Sequence, residues 1–150
     1  MSLRLGKYLQ VLLAFICGVL ASCSTEPVPL AYGKDVCDFC KMTLMDKKFG
    51  AELVTQKGKV YKFDDLRCFL SFYHSDTEPT ETYQHLLVVD YSNPVKLVSA
   101  KDAFYVKSPA INSPMNGQLA AFETKSTMDD FKAQWNGIYL TWGEVVTEFK

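Results

Sequence analysis

The chain has no surplus of charge of either sign. Sixteen Lys and Arg stand against 17 Asp and Glu, a formal charge of −1. There is no basic block, so the counterion release on which nucleic-acid binding depends has no source here. Histidine is scarce, with two residues, His74 and His85. No nucleophile elbow, phosphate loop, dinucleotide fingerprint or histidine-based zinc-hydrolase motif occurs, so nothing points to catalysis. What remains is an ordinary globular composition, 48% apolar and 22% charged, which excludes wholesale disorder, collagen and coiled coil. At 150 residues the length suits one domain, or two very small ones sharing a core.

Long apolar runs are also missing, with one short exception. Val11 to Leu20 is apolar apart from Gly18 and follows Arg4 and Lys7. Such a run is too short for a mature transmembrane helix but fits the core of a signal peptide. It ends in Leu20-Ala21-Ser22-Cys23, which resembles a bacterial lipobox. The expected leader is 1–22, with Cys23 carrying the lipid. An ordinary signal peptide with Cys23 incidental is the alternative. Residues 23–34, with Pro27 and Pro29, read as a lipidated, flexible tether. The folded part then lies where disulfides are permitted.

Two further segments show one pattern twice. In 35–96, Phe49 to Thr55 alternates, Lys57-Gly58 offers a tight turn, and Val60 to Phe63 returns as a hairpin. Asp64 is placed to cap a helix with Leu66, Phe69, Leu70 and Tyr73 on one face. Leu86 to Val89, apolar on both faces, reads as an interior strand. In 97–150, Ala103 to Val106 and Leu119 to Glu123 are candidate strands. Ser126 is the expected cap of a helix bearing Met128, Phe131 and Trp135. Ile138 to Thr141 reads as a strand, and Thr141 with Glu144 as a capping box for a terminal helix. The expected fold class is α+β: two small packed ββαβ units, mainly antiparallel, plus a C-terminal helix.

Sulfur carries the remaining chemistry. Cys37-Asp38-Phe39-Cys40-Lys41-Met42 gathers two thiols and a thioether, the soft donors that suit Cu(I). If Cys40 to Met42 is extended, both side chains lie on one side of the chain. Other readings stay open. Cys37 and Cys40 could form a disulfide or a redox pair, although the Trp and Pro of thioredoxin sites are missing. With Cys68 and His74 they could form a structural Cys3His zinc site. Met42 and Met45 could be core fillers. Asp64 and Asp65 could be an acid pair, though capping suits them better. Cys68 reads as a small buried thiol, or as a residue lining a site near Cys40. Met115, in the turn Pro114-Met115-Asn116-Gly117, is the favoured distal thioether.

The ordered set Cys37 to Met42, Phe49-Gly50-Ala51-Glu52, Phe63 to Cys68, Val89-Asp90-Tyr91, Ala103 to Val106 and Pro114 to Phe122 resembles the NosL family of copper-binding lipoproteins. The resemblance implies a membrane-anchored, periplasm-facing Cu(I) chaperone, not an enzyme. Its partners would be nitrous oxide reductase and that enzyme's membrane transporter and maturation assembly. It centres metal binding on Cys40 and Met42, with Met115 a further contributor; Cys37, three residues before Cys40, offers an additional donor. Family members usually show Cys-Gly-Met where this chain has Lys41, and glycine adopts left-handed dihedrals that lysine rarely does.

Overall fold

The computed structural model describes residues 24–150 apart from residue 76. The leader and Cys23 lie outside the described residues. Among the described residues no helix is long and apolar enough to cross a membrane.

The first hairpin pairs β1 (Ala51–Thr55) with β2 (Val60–Phe63), in the register Ala51 to Phe63. Gly58, at φ 79, supplies the left-handed residue of its turn. Helix α1 (Leu66–Tyr73) follows, and β3 (Tyr83–Val89) returns antiparallel to β1. A short β4 (Leu97–Ser99), not among the expected strands, pairs with β3 and makes the order β2-β1-β3-β4. The second half repeats the plan. Strands β5 (Phe104–Lys107) and β6 (Leu119–Phe122), helix α2 (Lys125–Gln134) and β7 (Ile138–Leu140) give a sheet of order β6-β5-β7. Helix α3 (Trp142–Glu148) closes the chain on the expected Thr141–Glu144 capping box. The α+β class and the two ββαβ units are therefore as the sequence suggests.

The halves share one core. Leu53, Phe63, Phe69 and Val88 of the first unit form a single buried cluster with Tyr105, Leu119, Ala121 and Val145 of the second. The Tyr105 hydroxyl donates to Ala100 O at 2.6 Å, and Tyr91 N–H donates to Ala121 O at 2.8 Å. A unit of this size would be marginal alone; pooling apolar area makes the pair viable. On the other face of the second sheet, Val106, Ala120 and Phe122 meet Met128, with Phe131 and Trp135 packed alongside. That is the period-two alternation of strands.

Three local expectations are corrected. The N-cap of α1 is Asp65, not Asp64: the Asp65 carboxylate accepts the Arg67 N–H at 2.7 Å. The N-cap of α2 is Thr124, not Ser126, its side chain accepting from Thr127 N–H. Residues 28–34, expected as part of a flexible tether, are packed down. Val28 N–H donates to Glu52 Oε1 at 2.9 Å, and Leu30 and Tyr32 rest on the main core. Gly50 makes room for them, since a Cβ there would come within 2.6 Å of both side chains. This strap reaches Glu52 on the outer face of β1, and all five β1 residues are buried instead of alternating.

Candidate metal centre

The Cys-x-x-Cys segment is a tight hairpin laid on the edge of the first sheet. Val36 and Thr43 form an isolated antiparallel bridge, Cys37 N–H donates to Met42 O at 2.8 Å, and Lys41 N–H donates to Cys37 O at 3.0 Å. The hairpin is zipped to β2: Asp38 N–H donates to Lys62 O, and Lys62 N–H donates to Asp38 Oδ2, each at 2.8 Å. Lys62 Nζ also reaches Asp35 at 2.6 Å. These contacts cover a strand edge and fix the cysteines relative to the end of β2. Lys41 sits at φ 65, the left-handed region that favours glycine.

Directly beyond β2, Asp64 turns inward because Asp65 takes the capping role. Cys68 faces the same space from the first turn of α1. Ligand atoms of Cys37, Cys40, Asp64 and Cys68 all lie within 4.8 Å of one another. Cys37, Cys68 and Asp64 are buried, while Cys40 is partly exposed at the mouth. The Cys40 thiol donates to Asp64 Oδ1 at 3.4 Å. All three cysteines are free thiols.

The thiols are electrostatically unequal. Cys37 is lowered to about 6, chiefly because Cys68 S–H donates to its sulfur, helped by the N–H groups of Cys40, Asp64 and Phe39; burial opposes this. Cys68 is pushed up by that same bond, by burial and by the charges of Cys37 and Asp64. Cys40 is raised by burial and by Cys37, against a hydrogen bond from the Met42 N–H. Three thiols of unequal acidity beside a carboxylate are a set of soft donors that can exchange protons for a metal ion.

The methionines are placed differently. Met42 is 47% exposed and Met45 71%, with Phe39 and Val36 also exposed on the same hairpin; neither methionine is core filler. Met115 is partly buried against the main core, the cluster on which Cys40 also packs, and its N–H donates to Asp65 Oδ2 at 2.8 Å. His74 is elsewhere: its Nε2 is 2.8 Å from Val146 O, at the far end of α1. A Cys3His set is thus not assembled, and Asp64 stands where that reading expects the histidine. Asp64 as a donor is the feature sequence reasoning missed. The available clue was the Asp64-Asp65 pair, since only one of two adjacent carboxylates can cap.

The NosL family model matches residues 27–149. The chain belongs to the NosL family. Among curated proteins no match is found. Among solved structures the chain resembles the crystal structure of the copper chaperone NosL from Shewanella denitrificans, with a TM-score of 0.69 and 22% identity over 81% of this chain and 96% of that one. At that identity the likeness establishes a shared NosL fold.

Proposed function

We propose that this NosL-family protein captures Cu(I) outside the inner membrane and hands it on, without turnover, for maturation of the copper centres of nitrous oxide reductase. The observation that carries this reading is the convergence of three thiols and one carboxylate at a mouth bordered by Cys40 and Met42. Thiolates and thioethers are the donors Cu(I) prefers. Cys40 and Met42 form the primary site, with Cys37 a further donor and Met115 closing it from the second unit; Cys68 stands within reach of both other thiols. A partly exposed Cys40 beside an exposed thioether suits cargo that must leave, because a partner's ligand can approach before the last bond breaks. Lipid at Cys23 keeps the domain at the membrane, facing the periplasm, near a transporter assembly or the reductase. The Shewanella relative, a copper chaperone by description, supports the assignment of cargo.

The test replaces Cys40 by Ser and Met42 by Leu together. The folded double variant should lose stoichiometric Cu(I) binding in an anaerobic competition with a chelator. Tight binding retained by that variant would sink the assignment.

One observation favours a second reading. Three thiols plus a carboxylate make four donors, the number a structural Zn(II) takes in tetrahedral geometry. On that reading the metal clips the hairpin to α1, and its removal loosens the fold.

A further inference from the structure

Asp65 is fully buried and uses both carboxylate oxygens. Oδ1 accepts the Arg67 N–H at 2.7 Å and so caps α1. Oδ2 accepts the Met115 N–H at 2.8 Å, across 50 residues of sequence and from the other unit. The loop it holds is wound tightly, with Asn116 and Gln118 both at φ 55 and Ser113 Oγ accepting the Gly117 N–H at 2.9 Å. Its approach is close: a Cβ on Gly117 would stand 2.7 Å from Asp65 Oδ1 and 3.1 Å from Arg67 Cβ. A single side chain therefore fixes the Met115 loop to the helix start. The residue before it is Asp64, and the first turn after it carries Cys68.

We propose that Asp65 is a positioning residue for metal binding: by clamping the Met115 backbone to the N-terminus of α1, it holds the Met115 thioether in register with the thiols of the first unit. The inference rests on the reading of Met115 as a copper donor. Its physical content is pre-organisation. Charge-assisted hydrogen bonds to a buried carboxylate resist exchange, so the loop is ordered before the cargo arrives and binding does not bear that entropy cost.

Replacing Asp65 by Asn separates the clamp from the cap. Asparagine caps a helix about as well as aspartate. It keeps one accepting oxygen but puts an NH2 where the second oxygen was, and that group cannot accept an N–H. The measurement compares the reduced wild-type protein with D65N, M115L and the double variant. Cu(I) affinity is read by chelator competition, the number of Cu–S contacts by X-ray absorption, and folding by circular dichroism. D65N should stay folded, lose about 10- to 100-fold in affinity, as removal of outer-shell support does in other metal sites, and show the same reduced sulfur count as M115L. The double variant should bind no more weakly than the weaker single one. Folded D65N with wild-type affinity and sulfur count, while M115L is weakened, would overturn the proposal and leave the ligand reading standing. So would penalties that add in the double variant. An M115L protein with wild-type copper binding would instead remove the ligand reading itself, and the proposal with it. If D65N does not fold, G117A presses on the same contact from the loop side, and the same losses, or their absence, decide.

Discussion

Lys41 stands between Cys40 and Met42 in a left-handed backbone conformation, at φ 65. That conformation costs an L-residue about 1–2 kcal/mol, and the Lys41 Nζ contact to Asp38 O at 2.5 Å recovers only part of it at an exposed position. Lys41→Gly should therefore stabilise the reduced protein by about 0.5 kcal/mol, the strain relief slightly exceeding the entropy glycine loses on folding. Chemical denaturation checks this, and a destabilised variant would show that the lysine contact matters more than the backbone. The residue scale also shows where reading a sequence falters. Both Asp64 and Asp65 have cap chemistry, and nothing local chooses between them. The choice is made by Met115, which needs the second Asp65 oxygen, and so by a contact that exists only after the units have docked. Asp64 is then left to face the thiols. Cys68 behaves likewise: its place on an apolar helix face reads as core, which it is, and its neighbours Cys37 and Cys40 arrive from a separate hairpin.

At the scale of elements, the hairpin, the interior strand, the helix faces and the terminal capping box were legible because each has a local cause. Turn chemistry, alternation and 3.6-residue spacing need no knowledge of the rest of the chain. The strap of residues 28–34 was not. Pro27 and Pro29 mark extended chain whether or not something lies beneath it, and the space for Leu30 and Tyr32 comes from Gly50, just before β1. The strap has a consequence for pH dependence. Beneath it, Glu52 accepts from Val28 N–H through one oxygen, while Oε2 is buried with no hydrogen-bond partner. Burial raises the Glu52 carboxyl above its ordinary value. The folded protein therefore binds this proton more tightly than the unfolded chain. The contribution of Glu52 to stability is most favourable below the ordinary carboxylate range and declines as pH rises through the raised value. Glu52→Gln removes the charge and keeps an acceptor for Val28. It should raise stability near neutral pH by about 1 kcal/mol and flatten the pH profile above the ordinary carboxylate range. Thermal melts of the two proteins across that range provide the check; parallel profiles would mean the charge is relieved elsewhere.

Over the whole molecule, the two ββαβ units divide the work while sharing a core. The first supplies the cysteine hairpin, Asp64 and Cys68. The second supplies the Met115 loop, locked to the first through Asp65. On the carrier reading such a domain folds by apolar burial without metal, which separates it from a zinc-clipped scaffold: a carrier's apo state is native and its metal exchanges. The most direct measurement is an anaerobic titration of the reduced domain, residues 24–150, with Cu(I) against a competing chelator, with Zn(II) in parallel and folding followed throughout. The account predicts an already folded apo protein that takes one Cu(I) tightly, releases it to a stronger chelator, and binds Zn(II) more weakly. Folding that depends on tight Zn(II), or an apo protein that cannot compete for Cu(I), would contradict it.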